Sequence, residues 1–266
     1  MVELAKPHGA GEANIASSEL SQDGNLRISF HRGAFADEAA LNRAAYYAAY
    51  VIHDIQVEAI TFRRACAMTQ PDFEQAQHYA LDRLERELSP KLVYHSLRHT
   101  RDDVLPAAER LAPVEGVAGE ELLLLRTAAV YHDIGFVKQR VDHEDVGARI
   151  AAEVLPRFGY NPAHIAAIGG MIMATKLPQS SRTLLEKILA DADLDVLGRD
   201  DFLTRNQDLR AELAAYGTLA TDEQWYTNQL KFLEGHRYFT AAARSLRDPQ
   251  KQKNIAALRV LLAKAA

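Results

Sequence analysis

Residues 122–136 read LLLLRTAAVYHDIGF, and this stretch decides how the chain folds. The segment 122–131 is apolar almost throughout, which predicts a helix buried in the core. His132 and Asp133 follow it, and Gly135 stands where a helix can end. Two ionisable side chains at the end of a buried helix are costly unless a partner satisfies them, and imidazole with carboxylate suits a divalent cation. The alternative is an ordinary helix C-terminus without a ligand.

The rest of the chain reads as helix after helix, so the fold class is predicted to be all-α. Residues 37–64 are rich in alanine with apolar side chains at helical spacing, and residues 249–264 predict a C-terminal helix. Only the short segment LRISF, residues 26–30, alternates as a strand does.

Residues 1–28 are predicted to be a flexible N-terminal arm, because they are polar and small with glycine and proline. Residues 29–266 are predicted to form a single helical domain. Its core spans about residues 75–240, with the helices 37–64 and 249–264 packed on it.

Composition narrows the classes of function. The net charge of −5 gives no basic field for a nucleic acid polymer or an anionic membrane. The longest apolar run, residues 165–174, is about half of the ~20 residues that a membrane helix needs. A single cysteine, Cys66, excludes an intramolecular disulfide, and we expect a cytoplasmic protein. A small anionic substrate remains compatible, since a metal ion and a few local cations outweigh a mild global charge.

Three further groups of polar residues are candidates for chemistry. His95 and His99 are four apart and share a helical face, although a helix start with two exposed histidines would look the same. The acids of ADADLD, residues 190–195, would repel one another without a cation nearby, although they could also be exposed acids at a helix end. A second His-Asp pair, His53-Asp54, lies mid-helix without matching partners, and we interpret it as a coincidence.

The order His99, His132-Asp133, Asp193 resembles the H…HD…D pattern of the HD-domain metal-dependent phosphohydrolases. The flanking sequence carries the resemblance as well, over roughly residues 75–240, in the stretches YHSLRHT, AVYHDIGF, HEDVGARIA, MIMATK and ADADLDVLG. The resemblance implies an all-α HD-domain bundle, here with an extra N-terminal helix and a mobile arm. It also implies an enzyme that hydrolyses a phosphate ester or anhydride of a small molecule, with a nucleotide as the expected substrate, by a metal-activated water.

The resemblance also implies roles for individual residues. One divalent ion per chain is expected, from among Mn, Co, Ni, Zn, Mg and Fe. Its expected ligands are His99, His132, Asp133 and Asp193, with Asp191 as the fallback for the last position. The expected catalytic residues are His95 as the acid for the leaving group, Asp133 and Lys176. The expected substrate contacts are Arg98, His143 and Lys176, with Lys138 and Arg140 as more distant candidates.

The chain departs from the two-metal members of the superfamily in one slot. Their second additional histidine would fall where this chain has Ala174 and Thr175, and His164 lies about ten residues too early. This favours one metal ion and disfavours a di-iron oxygenase. Phe136 stands where a lysine often follows the HDIG motif, so that cation is missing.

One alternative function stays open from the sequence: a regulatory or nucleotide-binding module that keeps the metal cage but turns over little. The helix 37–64 and the segment 224–248 are candidate surfaces for a homodimer or a partner, although such stretches more often belong to the core.

Overall fold

A computed structural model describes residues 70–265 and the backbone of two strands, β1 (Ile15–Leu20) and β2 (Leu26–Phe30). Contacts within the chain divide it into two compact units, residues 1–69 and 70–266. The predicted helix 37–64 and the His53-Asp54 pair lie outside the described residues, as does most of the predicted arm. The predicted domain bounds stay a prediction.

The two strands of the N-terminal unit form an antiparallel pair. Leu20 pairs with Leu26 and Ser18 with Ile28. The sequence indicated the strand at residues 26–30. It missed its partner at residues 15–20, which lies within the predicted arm, because IASSEL shows no alternation of apolar and polar residues.

Between residues 70 and 265 every regular element is helical, which confirms the all-α class. Four short helical turns connect or extend the longer helices: a π-helical turn His99–Val104 and 3₁₀ turns Ile134–Val137, Leu155–Phe158 and Asp195–Gly198. The α-helices are α1 (Phe73–Glu87), α2 (Leu105–Val114), α3 (Gly119–Tyr131), α4 (His143–Val154), α5 (Pro162–Ala174), α6 (Leu184–Asp193), α7 (Phe202–Ala215), α8 (Asp222–Gly235) and α9 (Ala241–Ala265).

Side-chain caps fix where several helices begin. Asp72 accepts a hydrogen bond from the backbone N–H of Gln75 at the start of α1. Asn161, followed by Pro162 at the first helical position, caps α5 by accepting from the backbone N–H of His164. Thr183 caps α6 in the same way, by accepting from the backbone N–H of Glu186. These bonds satisfy N–H groups that have no partner within the helix.

Helix α3 is the centre of the core. Its residues Leu125, Ala128 and Ala129 are fully buried, and α1, α2, α5 and α6 pack around it. A helix that is apolar on almost every side must be surrounded in this way. The end of α3 therefore delivers His132 and Asp133 into the protein interior.

The chain turns sharply after α3 and meets the start of α4. A Cβ atom on Gly135 would collide with the backbone carbonyl of His143, so only glycine fits there. This close approach brings the first residue of α4 beside the end of α3. The close packing of the two segments thus requires the glycine of the HDIG motif in this chain.

The C-terminal helix begins earlier than predicted. Helix α9 starts at Ala241 rather than at residue 249, and Pro249 lies within it. Thr240 sets the start, because its hydroxyl accepts a hydrogen bond from the backbone N–H of Ala243 at 3.2 Å. Proline removes one backbone donor, and the helix continues past it because α8 and the Asp195–Gly198 turn pack along its length.

Candidate metal centre

His132 is held in one tautomer by the helix that carries it. Its Nδ1 lies 2.8 Å from the carbonyl oxygen of Ala129, and a carbonyl only accepts, so Nδ1 carries the proton and donates. The Nε2 lone pair then points away from α3. It lies 3.3 Å from Asp133 Oδ2 and 3.5 Å from Asp193 Oδ1, which are also acceptors. Three acceptors converge without a donor between them.

His99 joins this group from the π-helical turn before α2. Its Nε2 lies 3.2 Å from Asp193 Oδ1 and 3.8 Å from Asp133 Oδ2, and the residue is only 3% exposed. Ligand atoms of His99, His132 and Asp133 all lie within 4.8 Å of one another. Three segments of the chain thus meet at one point: this turn, the residues directly after α3 and the end of α6.

The arrangement fits a divalent cation. The buried atoms His132 Nε2 and Asp133 Oδ2 have no hydrogen-bond partner. Leaving two such groups unpartnered costs roughly 1–3 kcal/mol each, more for a charged group. A cation would satisfy both, and two imidazoles with carboxylates are a donor set typical of first-row divalent metals. We refer to His99, His132, Asp133 and Asp193 as the metal cluster.

The electrostatics of the cluster favour positive charge at its centre. Burial opposes ionisation of Asp133 and Asp193, but the neighbouring imidazoles outweigh it and hold both pKa values below the usual range. Burial likewise opposes protonation of His132, and the charge of Asp133 with the hydrogen bonds of both acids raises its pKa above the usual value. The carboxylates therefore stay ionised and demand a cation, whether proton or metal.

Asp193 and Asp191 have different partners, which separates the two candidates for the late ligand. Asp193 Oδ1 faces the two histidines, and its side chain is 18% exposed, so the cluster is reached from this side. Asp191 points the other way and accepts hydrogen bonds from the backbone N–H groups of Phe239 and Thr240, both at 2.8 Å. Asp191 is therefore occupied as a structural acceptor at the start of α9.

Glu212, which the sequence analysis missed, holds His95 beside the cluster. Its Oε1 lies 2.5 Å from His95 Nδ1, and its Oε2 accepts from the backbone N–H groups of Tyr94 and His95 at 2.9 Å. Burial raises the pKa of Glu212, but the hydrogen bond from His95 outweighs it, so the net shift is downward. No motif surrounds Glu212 in LRAELAAYG, and it comes from α7, 117 residues along the chain. Only the fold brings the pair together.

His143 borders the cluster on another side. Its Nε2 lies 3.3 Å from Asp133 Oδ1, and its Nδ1 lies 3.1 Å from the carbonyl oxygen of Arg140. Burial lowers the pKa of His143, and the hydrogen bond to Asp133 outweighs it and raises the pKa overall. Phe136 stacks between His143 and His95, with ring centroids 3.8 and 4.8 Å away. The residue that replaces the expected lysine therefore orders two histidines.

Lys176 and Arg98, two cations predicted to contact the substrate, differ in their charged partners. The Nζ of Lys176 lies 2.8 Å from Asp142 Oδ1 and 2.6 Å from Asp145 Oδ2, and these bonds raise its pKa. Two carboxylates thus neutralise its charge in this structure, and the phosphate-binding and catalytic roles of Lys176 stay a prediction. Arg98 is exposed and forms no ion pair within the described part of the chain. It adjoins His99 in sequence, so its predicted role stays a prediction.

The slot of a second metal holds no ligand. Ala174 has none to offer, and the Thr175 hydroxyl donates to the carbonyl of Ile172 at 2.8 Å. His164 is used elsewhere: its Nε2 lies 3.0 Å from Glu120 Oε1, and its ring belongs to the cap of α5. Among residues 70–265, His99, His132 and Asp133 form the one group of three or more potential ligands.

No helix in the described part of the chain is long and apolar enough to cross a membrane.

Comparison with known proteins finds a match within the helical unit. Residues 92–195 match the family model of the HD domain. The solved structures include a "predicted HD superfamily hydrolase" from an uncultured Thermotogales bacterium, determined at 1.45 Å resolution. It is 21% identical, has a TM-score of 0.50, and the match covers 74% of this chain and 94% of that chain. No curated protein matches the sequence significantly. Residues 92–195, which contain the metal cluster at the end of a buried helix of an all-α fold, are thus similar to the HD domain.

Proposed function

We propose that the protein is a metal-dependent phosphohydrolase that acts on a small phosphorylated molecule, by preference a nucleotide. The observation that carries the proposal is the buried metal cluster with its two unpartnered acceptors, His132 Nε2 and Asp133 Oδ2. Supporting it, the similar bacterial structure is described as a hydrolase. The nucleotide preference rests on the resemblance of the motifs to the phosphohydrolases of the superfamily.

The cluster would hold one divalent ion through His99, His132, Asp133 and Asp193. A divalent ion bound there would supply a water of lowered pKa and would polarise a phosphoryl oxygen. The protein itself fixes the ligand atoms: the Ala129 carbonyl orients His132, and the Gly135 turn carries Asp133 next to His143. These contacts orient the ligands before a metal arrives.

His95 is the residue best placed to deliver a proton to the leaving group. Glu212 accepts the Nδ1–H and fixes the ring, and Phe136 packs against one face of it. The ring of His95 lies 6.0 Å from that of His99 between centroids, so its Nε2 can serve the same small space. A positioned imidazole of this kind is a suitable general acid near neutral pH.

The direct test measures metal content and phosphate release together. The purified protein is assayed with a panel of nucleotides and sugar phosphates, each with added manganese, cobalt, nickel, zinc, magnesium or iron(II). We expect the wild-type protein to bind about one ion per chain, and His132→Ala to lose both the ion and the activity.

His78→Ala is the matched control, because His78 is an exposed histidine of α1 outside the cluster. It should retain metal and activity. A His132→Ala protein with full activity would overturn the proposal. If wild-type protein binds a nucleotide tightly and cleaves none of the panel, the regulatory-module alternative holds instead.

A further inference from the structure

Two cations flank the tyrosine that directly follows α7. The guanidinium carbon of Arg140 lies 4.8 Å from the centroid of the Tyr216 ring, and the Nζ of Lys91 lies 5.4 Å from it. Both distances are within the range of a cation–π interaction. The three side chains come from the loop before α4, the end of α7 and the segment after α1. We call them the Tyr216 cluster.

Each member of the Tyr216 cluster is tied to a residue that borders the metal cluster. Tyr216 follows Glu212 by one helical turn, and Glu212 holds His95. Lys91 lies four residues before His95 in the same segment. The carbonyl of Arg140 contacts His143 Nδ1, and the rings of His95 and His143 lie 6.4 Å apart between centroids. The two cations thus come from the chain segments that carry His95 and His143.

The charge of these two cations is not met by acids. Neither Lys91 nor Arg140 lies within 4.0 Å of a carboxylate in the part of the chain that the structure describes, and both are exposed. Lys176, the cation predicted to hold phosphate, has two carboxylate partners by contrast. A guanidinium stacked on a ring keeps its N–H edge available, and that edge matches the oxygens of a phosphate.

We propose that Lys91 and Arg140 bind a phosphate group of the substrate other than the one that is hydrolysed, with Tyr216 fixing both cations. The preferred substrate then carries at least two phosphates, as a nucleoside di- or triphosphate does, and a monophosphate is a poorer one. The inference rests on the proposed function for the hydrolysed group, but the anion site itself does not require turnover.

The test compares inorganic tripolyphosphate with inorganic phosphate by isothermal titration calorimetry on the full-length, metal-loaded protein. The double variant Lys91→Ala/Arg140→Ala leaves every residue of the metal cluster in place. We expect its dissociation constant for tripolyphosphate to rise roughly tenfold or more, as the loss of charge-assisted hydrogen bonds implies, with that for phosphate nearly unchanged. Lys253→Ala, which removes an exposed cation of α9 outside the Tyr216 cluster, should behave as wild type.

Two results would overturn the proposal. One is a wild-type protein that binds tripolyphosphate no tighter than phosphate. The other is a double variant that binds tripolyphosphate as tightly as the Lys253→Ala protein does. If the protein hydrolyses no phosphorylated compound, the proposed function is wrong. The titration still decides whether Lys91 and Arg140 form an anion site, because it measures binding without turnover. In an active protein, the double variant should raise KM for a nucleoside triphosphate more than for the monophosphate, with little change in kcat.

Discussion

Asp193 and Asp195 lie two residues apart, and the pockets they face are chemically opposite. Asp193 faces the imidazoles of His99 and His132, where two buried acceptors lack a partner. Asp195 faces arginines: Arg247 donates to it at 2.6 and 2.8 Å, and Arg110 lies at 3.3 Å. One pocket is open to a cation, and the other already contains its cations.

The difference shows that a buried acid alone does not indicate a metal site. The alternating acids of ADADLD predict mutual repulsion relieved by a cation. Two of the three have their own donors, since Asp195 pairs with arginine and Asp191 accepts from Thr240 and Phe239. The histidine partners, which can offer a lone pair instead of a proton, are what mark Asp193.

The largest effect is expected at Asp193. Asp193→Asn keeps the shape of the side chain but removes the charge that faces both histidines, so metal affinity and activity should fall roughly 100-fold or more. Metal analysis after dialysis and a phosphate-release assay measure this. Asp191→Asn is the matched control: it should keep its metal and lose only stability, about 1–2 kcal/mol, through weaker acceptance from the α9 start. The reverse pattern in the two variants would contradict the assignment of Asp193.

The next largest effect is expected in the arginine-lined pocket around Asp195. Asp195→Ala leaves Arg247 without its buried partner, so the free energy of unfolding should drop by about 3 kcal/mol. Urea denaturation gives the value, and the metal content of the folded variant should stay at the wild-type level. Asp102→Ala removes an ion pair with Arg101 that is about half exposed, and it should cost less than about 1 kcal/mol. Equal losses in the two variants would show that Asp195 is not energetically distinct.

A smaller effect is expected at Glu212, which acts on the site only through His95. Glu212→Gln should lower kcat roughly ten- to thirtyfold with little change in KM or metal content, because His95 loses the charge that fixes its proton on Nδ1. The loss should nearly vanish for a p-nitrophenyl ester, whose leaving group needs no acid. Glu223→Gln, at an exposed position of α8, serves as the control. An equal loss with both leaving groups would point to a purely structural role.

The smallest effect concerns a histidine away from the cluster. Lys251 donates to His236 Nδ1 at 3.0 Å, and burial together with this charge lowers the pKa of His236 to about 4. In the unfolded chain His236 is protonated below about pH 6.5. The neutral, buried His236 therefore contributes to the free energy of unfolding above that pH, and this contribution is lost as the pH falls toward 4. The change should be roughly 2 kcal/mol at most after solvent screening.

Thermal or urea unfolding between pH 7 and 4 tests this expectation. His236→Gln should lose less stability than wild type over that range, while His78→Gln, at an exposed position, should follow the wild-type curve. Identical curves for wild type and His236→Gln would show that Lys251 does not hold His236 neutral.

The helices were largely predictable from sequence for local reasons, and so was the set of residues that the fold gathers in the metal cluster. Apolar periodicity and caps such as Asn161-Pro162 are short-range signals. The sequence that flanks the HD motif distinguishes His132 from His53. The start of α9 was not predictable from the proline at 249. It depends on the Thr240 cap and on packing against α8, which sequence spacing does not encode.

The sequence by itself determined that the chain is a helical protein with a His-Asp pair at the end of its most apolar helix. Apolar spacing and the signals of helix ends depend on residues only a few positions apart, so they can be recognised without the fold. Only the tertiary structure decided which side chains surround that pair. Glu212 reaches His95 across 117 residues, and Lys176 is engaged by two acids while Arg140 and Lys91 are not. Such contacts depend on how separate helices pack, and a charge acquires its role from the groups that packing places against it.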